Sequence, residues 1–202
     1  MSETAGNGIM LALLAAGQSR RFGDQDKLAA LLHGKMLGLH AAETLSNLPV
    51  DHRIIIASDP DHPCAAGWEK MGYHIIVNEH AAEGQSTSVR CAANSAAASG
   101  ASALLICLAD MPYIAPQHLQ NLCQTFKDGE QSKVVASSDG GKAMPPAIFP
   151  AGQITALKDL RGDQGARQLL QTAHLAAAPD GSLLDIDTPE ILVAENRKGC
   201  SA

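Results

Sequence analysis

The amino-acid sequence predicts an α/β fold in which helices cover both faces of a mostly parallel β-sheet, giving three layers (α/β/α). Short apolar runs rich in β-branched residues have the length of buried parallel strands, and helix-like segments alternate with them. The composition is that of a globular chain, because 46% of the 202 residues are hydrophobic and 18% are charged. No linker rich in proline, glycine and serine interrupts the sequence, so we expect residues 1–202 to form a single domain.

The predicted elements follow one another in a regular order. Strands are expected at Ile9–Leu14, Arg53–Ala57, Tyr73–Val77, Ala103–Leu108 and Lys133–Ala136. The helix-like segments between them are Met36–Leu48, Pro63–Met71, Ser86–Ser99 and Pro116–Phe126. After residue 139 we expect a strand at Ala147–Phe149, a helix near Gln164–Thr172, a short strand at Leu183–Ile186 and a closing helix from Thr188. Ligands of such folds bind at the carboxyl ends of the strands.

Charge and composition argue against several classes of protein. The formal net charge is −6 and aromatic residues make up 3%, whereas a nucleic-acid binder would show a basic stripe with stacking aromatics. The uncharged stretch from Cys91 to Ala109 contains Asn94 and Gly100, which favours a helix, a turn and a strand over a membrane span. A signal peptide would begin with a positively charged segment, and no such segment precedes the first apolar run. We therefore expect a cytoplasmic protein without a nucleic-acid or membrane partner.

Cysteine and histidine supply no metal-binding pattern. The five cysteines include no CxxC pair, and an odd number of them suits free core thiols in a reducing compartment. The histidines are scattered without a ligand spacing, and we expect four of them at the surface: His33, His40, His62 and His80.

The loop after the first predicted strand is the clearest candidate for a binding site. Its residues are Leu14-Ala15-Ala16-Gly17-Gln18-Ser19-Arg20-Arg21-Phe22-Gly23, and Lys27 follows. Small residues let backbone N–H groups approach a phosphate closely, and Arg20 and Lys27 can supply positive charge. The loop is neither a Walker A motif nor a dinucleotide fingerprint. On these grounds alone, an anion-binding loop and a plain turn between a strand and a helix are equally good interpretations.

Further motifs follow this loop in the chain. They are Asn78 ahead of Glu83-Gly84-Gln85-Ser86-Thr87-Ser88-Val89-Arg90, Leu108-Ala109-Asp110-Met111-Pro112, Gly162-Asp163-Gln164-Gly165-Ala166-Arg167 and Asp185-Ile186-Asp187-Thr188-Pro189-Glu190. Together with the loop, they resemble the MobA-like family of NTP transferases, and within it the branch of the molybdenum cofactor cytidylyltransferases. The resemblance covers about residues 9–195. It implies a nucleotide-diphospho-sugar transferase-like fold with a Rossmann-like sheet.

The resemblance implies a nucleotide site and a reaction centre. The implied nucleotide-binding residues are Leu14, Ala15, Ala16, Gly17, Ser19, Arg20, Lys27, Asn78, Gly84, Ser86 and Ser88. The implied catalytic residues are Arg20, Lys27 and Asp110. Ser86 could equally be an ordinary helix N-cap, and Arg167, which would suit the acceptor's phosphate, could equally be a solvated helix residue.

Two carboxylates are candidate metal ligands. Asp110 ends the most apolar predicted strand, where a carboxylate is costly to bury unless it meets a cation. Mg²⁺ prefers one or two carboxylates together with substrate phosphates, which Asp110 and Asp187 could supply; Mn²⁺ is the alternative metal. Asp185 is expected beside Asp187. The alternative interpretations are that Asp110 caps the turn before Pro112 and that Asp187 is the N-cap of the last helix.

The family reaction implied here transfers CMP from CTP to the terminal phosphate of molybdopterin, and pyrophosphate leaves. Ala15 and Ala16 favour CTP, because the guanylyl-transferring relatives tend to carry a second glycine at this point. The implied partners are CTP and a molybdopterin-type cofactor, with a transient contact to a molybdoenzyme or its chaperone. One segment departs from the expected Arg-Gly-x-Pro pattern, since Lys142 and Met144 replace its arginine and glycine. Another phosphorylated acceptor, or a binding protein without catalysis, therefore remain alternatives.

Overall fold

The computed structural model of the chain describes residues 8–23, 25–129, 131–160 and 169–199. The strands are β1 Ile9–Leu14, β2 Leu31–Leu32, β3 Lys35–Met36, β4 His52–Ala57, β5 His74–Val77, β6 Ala103–Leu108, β7 Val135–Asp139, β8 Lys142–Pro150 and β9 His174–Ala177. The α-helices are α1 Leu37–Ser46, α2 Ala65–Lys70, α3 Gln85–Ser99, α4 Pro116–Asp128, α5 Ala151–Lys158 and α6 Pro189–Gly199. Short 3₁₀ turns cover Arg20–Phe22, Lys27–Ala29 and Ala81–Glu83.

One seven-stranded sheet organises the molecule, in the order β5-β4-β1-β6-β8-β7-β9. The pairs β4–β5, β1–β4, β1–β6 and β7–β9 are parallel. Strand β8 is antiparallel to both of its neighbours, β6 and β7. Strands β2 and β3 form a separate antiparallel ribbon. The sheet is therefore mostly parallel, as the sequence predicts.

Helices cover both faces of the sheet because residues of the central strands alternate between two cores. Leu11 and Leu13 of β1 belong to one core, which α1, α2 and α4 complete with residues such as Trp68 and Phe126. Met10, Ala12 and Leu14 of β1 belong to the other, which α3 and α5 complete. This period of two is that of a strand buried on both faces. The predicted three-layer α/β/α fold is thus confirmed.

The C-terminal part of the chain differs from the sequence prediction in several places. The predicted strand Leu183–Ile186 is wrong: these residues form a turn and an extended segment, whose buried Leu183 and Ile186 fill the core without joining a strand pair. The strand expected at Lys133–Ala136 begins later, as β7, and the one expected at Ala147–Phe149 is the end of the much longer β8. Strand β9 and helix α5 were not predicted. The predicted helix Gln164–Thr172 lies mostly outside the described residues.

The carboxyl ends of the central strands meet where the candidate residues lie. The Ala15 N–H donates to Ile56 O at 2.8 Å, which continues the contact of β1 with β4 past the end of β1. The Ala109 N–H donates to Leu14 O at 3.0 Å, and the Ile186 N–H donates to Asp110 O at 2.9 Å. These bonds bring three distant loops to one edge of the sheet. Within the described ranges, none of the helices has the length and hydropathy that crossing a membrane needs.

Candidate active site

The loop after β1 bends back on itself and forms the wall of a cleft of about 450 Å³. Ser19 adopts a left-handed conformation (φ 48°), and the Phe22 N–H donates to Ser19 O at 2.7 Å. The Ser19 hydroxyl also accepts from the Lys27 N–H at 3.2 Å, so it ties the loop to the turn that carries Lys27. The residues of the loop from Leu14 to Arg21 all line the cleft, together with Lys27 and Asp110. A loop of this shape presents backbone N–H groups to an anion.

Lys27 lines this cleft and lies between two carboxylates. Its ammonium group donates to Asp110 Oδ2 and, at 2.9 Å, to Asp187 Oδ1. Only 9% of Lys27 is exposed. Burial lowers the pKa of the ammonium, but the charges and hydrogen bonds of Asp110 and Asp187 outweigh burial and raise the pKa above its ordinary value. Lys27 therefore stays positively charged at neutral pH.

Three carboxylates converge at this point from two loops. Asp110 follows β6, and Asp185 and Asp187 precede α6. The pKa of Asp185 is raised by burial and then by the charges of Asp187 and Asp110. Burial also raises the pKa of Asp187, but its contacts with Lys27 and Arg21 outweigh this effect and lower it. The region therefore concentrates negative charge around one buried cation.

Asp187 does not cap the last helix. The Thr188 hydroxyl accepts from the Ile191 N–H at 3.3 Å, so Thr188 satisfies the first turn of α6. Asp187 instead faces Lys27, and its second oxygen accepts from Arg21 at 3.1 Å. The capping alternative for Asp187 is therefore wrong.

Asp110 and Asp187 fit a hard divalent cation. Asp110 Oδ1 is buried and has no hydrogen-bond partner among the described residues, although a buried carboxylate oxygen normally has one. Within the same residues, no group of three or more His, Cys, Asp or Glu side chains has the geometry of a metal site. Two carboxylates supplemented by water and substrate phosphates are the usual magnesium set. Asp110 and Asp187 would hold such an ion, close to where Lys27 lies.

Asn78 supports the start of α3 from within the protein. It is 2% exposed, and its amide donates to Thr87 Oγ1 at 2.8 Å and to Ser88 Oγ at 3.0 Å. Of the predicted residues on this side, Gly84 and Ser88 line the cleft, whereas Asn78 and Ser86 do not. The N-cap position of α3 is Gly84 (φ 116°), so the alternative of Ser86 as N-cap is wrong. Gly84, Gln85 and Ser88 thus bring the start of α3 to the wall of the cleft.

The two arginines of the loop have different contacts. Arg20, the predicted catalytic residue, lines the cleft, and its Nε donates to Gln18 Oε1 at 2.6 Å. Arg21 contacts Asp187. The sequence interpretation missed Arg21, although the Ser-x-Arg spacing of the motif itself ends on residue 21. Both side chains border the cleft, and only Arg21 contacts a candidate metal ligand among the described residues.

A second cavity of about 750 Å³ adjoins the cleft and shares Leu14, Gln85, Leu108, Asp110 and Asp187 with it. Its walls are largely apolar, with Val89, Ile106, Phe149, Leu170 and Leu175 among them. The segment that departs from the expected motif also lines it, through Lys142, Ala143, Met144 and Pro145. Two spaces thus meet at Asp110 and Asp187. The motif containing Arg167 lies outside the described residues.

The fold and the site define an α/β protein in which two adjoining cavities share one pair of carboxylates at the carboxyl ends of the strands. Residues 11–178 match the model of the MobA-like NTP transferase domain, and the chain belongs to this family. It is a nucleotidyltransferase of the MobA-like type, and the family implies a nucleotide and a phosphorylated small molecule as substrates.

Two curated relatives are similar over most of the chain. The purine catabolism protein PucB of Bacillus subtilis is 33% identical over 192 residues, covering 88% of this chain and 90% of PucB. The molybdenum cofactor guanylyltransferase of Acidiphilium cryptum is 28% identical over 159 residues, covering 78% of this chain and 75% of that enzyme. The similarity therefore supports the family, but it does not single out the cytidylyltransferase branch.

Solved structures support the fold. Rv0371c of Mycobacterium tuberculosis superposes with a TM-score of 0.76 at 20% identity, over 98% of this chain and 100% of that one. A further structure of Rv0371c holds manganese, with a TM-score of 0.68 at 18% identity, over 95% of this chain and 97% of that one. The 4-diphosphocytidyl-2C-methyl-D-erythritol synthase of Anaerococcus prevotii gives a TM-score of 0.75 at 11% identity, over 96% of this chain and 97% of that one. The predicted nucleotide-diphospho-sugar transferase-like fold is confirmed.

Proposed function

We propose that this protein transfers CMP from CTP to the terminal phosphate of a molybdopterin-type cofactor, with release of pyrophosphate. The observation that carries the proposal is the meeting of the two cavities at Asp110 and Asp187, with Lys27 held between these carboxylates. Transfer between two polyanions needs a place where both phosphates approach the same cations. The shared wall of the two cavities is such a place.

Positioning and neutralisation of charge supply the catalysis. The acceptor phosphate is already anionic at neutral pH, so its attack on the α-phosphorus needs no general base. The backbone N–H groups of Ala16 to Ser19, with Arg20 and Lys27, hold the triphosphate and stabilise the negative charge that builds on the leaving pyrophosphate. The phosphorus–oxygen bond to pyrophosphate breaks as the bond to the acceptor oxygen forms. Mg²⁺ or Mn²⁺, bound by Asp110 and Asp187, supplies Lewis-acid neutralisation of the phosphates.

Lys27 exchanges its partners when substrates bind. Its ammonium group neutralises Asp110 and Asp187 in the structure described here. A triphosphate in the cleft would offer the ammonium group more negative charge than the carboxylates do, and Asp110 and Asp187, released from Lys27, would be free to hold a divalent cation that neutralises the phosphates. Release of Lys27 toward the phosphates then completes the site.

Cytidine as the base is supported by the size of the cleft at Ala15 and Ala16. Both side chains are buried, with 4% and 6% exposed, and both line the cleft. A methyl group at each position leaves less room beside the strand end than a glycine would. Guanosine is the second candidate base, because the molybdenum cofactor guanylyltransferase of A. cryptum is among the relatives.

A molybdopterin-type acceptor is supported by the second cavity. Its apolar wall suits a flat heterocycle, and Lys142 at its edge can meet a phosphate. Met144 now occupies a position where the expected motif has a glycine, which supports another phosphorylated acceptor as the alternative. A transient contact with a molybdoenzyme or its chaperone would deliver the product.

The test measures pyrophosphate release from CTP, GTP, ATP and UTP with Mg²⁺, with and without molybdopterin-type cofactor. Release from CTP only when the cofactor is present is the expected result. Release from GTP with the cofactor would overturn the choice of base, and release with another phosphorylated acceptor would overturn the choice of acceptor. If the protein bound nucleotide tightly but released no pyrophosphate under any of these conditions, its function would be binding without catalysis.

Asp110→Asn supplies the matched variant for this test. The change keeps the size of the side chain and removes one negative charge from the pair of carboxylates. We expect turnover to fall by ~10²–10³-fold. If the protein only binds its ligands, the variant instead keeps its nucleotide affinity with no turnover to lose.

A further inference from the structure

His62 is buried, although the sequence pattern favours a place at the surface. It is 5% exposed, and its ring stacks on Trp68 with 4.7 Å between the ring centroids and 20° between the planes. It lies between β4 and α2, in neither cavity. Nothing in the proposed reaction uses it. A buried imidazole with two polar contacts nevertheless needs a physical reason.

The contacts of His62 define which nitrogen carries the proton. The backbone N–H of Cys64 approaches Nδ1 at 3.0 Å, and a backbone N–H can only donate, so Nδ1 accepts. The proton of the ring therefore sits on Nε2, which lies 2.6 Å from Asp26 Oδ2 and donates to it. Cys64 thus holds the tautomer that makes His62 a donor toward Asp26.

Asp26 connects this donor to Lys27. Its other oxygen, Oδ1, accepts from the Leu28 N–H at 2.8 Å and caps the 3₁₀ turn Lys27–Ala29. Asp26 is directly bonded to Lys27 along the chain, and the Lys27 ammonium reaches Asp110 and Asp187 from this turn. With one oxygen held by His62, the carboxylate of Asp26 has a single orientation in which it caps the turn. The position of the Lys27 backbone depends on that cap.

We propose that His62 is a positioning residue for Lys27, acting through Asp26. The inference rests on the proposed function for its effect on turnover. The chain of contacts runs from Cys64 N–H to His62, then to Asp26 and to the turn that begins at Lys27. In metal sites, replacing a residue that orients a ligand through a hydrogen bond lowers affinity or activity by ~10–100-fold, and we expect an effect at the lower end of that range here.

Two variants separate this role from packing. In His62→Gln, the amide nitrogen reaches about as far as Nε2 and can still donate to Asp26. In His62→Asn, the shorter side chain can accept from Cys64 but does not reach Asp26. Both variants lose the stacking on Trp68, and because asparagine is the smaller side chain, the melting temperature of each variant is measured to show how much packing it has lost. His74→Asn, at an exposed histidine of the edge strand β5, is the control.

Turnover is the first readout. We expect kcat to fall about tenfold in His62→Asn and to stay within about twofold of the wild type in His62→Gln. The KM of the acceptor should not change, because the second cavity does not include His62, Asp26 or Lys27. If kcat fell equally in the two variants, or if it fell in proportion to the loss of melting temperature in each, packing would explain the effect and the proposal would be overturned.

The second readout does not require activity. Trace acetylation with an N-hydroxysuccinimide ester, followed by peptide mass spectrometry, gives the reactivity of Lys27 relative to the exposed Lys158. We expect slow acetylation of Lys27 in the wild type and in His62→Gln, because its burial and its contacts with Asp110 and Asp187 protect the amine. In His62→Asn it should be roughly threefold faster or more, as the turn opens locally.

The two readouts distinguish the possible failures. If the wild-type protein releases no pyrophosphate, the proposed function fails, and the acetylation of Lys27 still decides on His62. If Lys27 reacts at one rate in all these variants, His62 does not position it, whatever the turnover shows.

Discussion

The two cavities that meet at Asp110 and Asp187 are built on different kinds of strand pairing. The cleft follows the ends of β1 and β6, which are parallel neighbours with Leu14 opposite Leu108. The second cavity is walled by β8, which is antiparallel to β6 and to β7. The register between β7 and β8 shifts between Ala136 and Ser137, and beyond this shift Ser137 lies opposite Met144.

This difference explains why one cavity can be recognised from local motifs and the other cannot. Parallel strands end at the same edge, so each contributes one short loop, and the small residues of the Leu14–Arg21 loop are contiguous in the sequence. The second cavity uses the side of a long strand and residues as far apart as Lys142 and Leu175. We therefore expect changes in the cleft to affect every acceptor, and changes in the second cavity to affect one.

The largest effect is expected for Lys27→Met. Methionine keeps an unbranched stem but removes the charge that neutralises the two carboxylates and then the triphosphate. Turnover should fall by ~10²–10³-fold with any acceptor. The free energy of unfolding should fall by no more than about 3–5 kcal/mol, the cost of removing one partner of a buried ion pair, since Asp187 retains Arg21 but Asp110 loses the ammonium group that neutralises it. Steady-state kinetics and urea unfolding check both expectations.

Lys158→Met is the matched control, because Lys158 is exposed on α5 and lines neither cavity. It should leave both turnover and stability near wild type. If Lys27→Met instead unfolds at ordinary temperature, the role of Lys27 is structural. The contrast between the two cavities would then lose its main support.

The predictability of the molecule follows the same division. β1 and β6 have the bounds that the sequence predicts, because a run of buried β-branched and aliphatic residues has few other structures available. Lys27, Asp110 and Asp187 come together as the motifs indicate, although 83 and 160 residues separate the lysine from the two carboxylates.

Other features depend on tertiary contacts that no local pattern reveals. The segment Leu183–Ile186 resembles a short strand because three of its four residues are apolar, but Leu183 and Ile186 pack into the core from an extended segment. β9 has three exposed residues out of four, so its sequence lacks the apolar run of a buried strand. His62 carries no sign of burial in the sequence, because its partners Asp26 and Trp68 are recognisable only in the fold.

A smaller effect than that of Lys27→Met is expected at Lys142, which lines the second cavity. Lys142→Met should raise the KM of the phosphorylated acceptor about tenfold, which corresponds to about 1.4 kcal/mol, in the range of one charge-assisted hydrogen bond. The KM of the nucleotide should not change, because Lys142 lines only the second cavity. Kinetics with each substrate varied in turn separate the two constants. Equal changes in both would mean that the cavities do not act independently.

A smaller effect is expected within the cleft itself, at Ala16. Ala16→Gly removes a methyl group from the wall of the cleft. If this methyl group favours the smaller base, as proposed above, the change should raise the ratio of GTP to CTP use by roughly tenfold or less, the range of one methylene-sized contact. Competition between the two nucleotides in one reaction gives this ratio directly. Ala82→Gly, at an alanine of another loop that lines the same cleft, is the control for loss of a methyl group. An unchanged ratio in Ala16→Gly would remove the structural support for CTP.

The smallest effect concerns stability behind the second cavity. His118 is 2% exposed, and its Nε2 lies 2.8 Å from Ser137 Oγ. The hydroxyl of Ser137 gives its own proton to Pro146 O at 2.8 Å, so His118 must be the donor. Burial lowers the pKa of His118 below its ordinary value of 6.5, and a backbone contact with Ala177 offsets only part of this. Just below pH 6.5, the imidazole of His118 therefore binds fewer protons in the folded protein than in the unfolded chain.

Because the unfolded state binds more protons, the free energy of unfolding should fall as the pH drops below about 6.5, with a slope from this residue of at most about 1.4 kcal/mol per pH unit. His118→Gln keeps a donor for Ser137 without the titration, so its unfolding free energy should depend less on pH between about pH 7 and pH 5. Urea unfolding across this range measures the slope. His74→Gln, at the exposed edge, should retain the wild-type slope. A slope unchanged in His118→Gln would mean that the acid sensitivity arises elsewhere, for example at the half-buried His40, whose pKa is also lowered by burial.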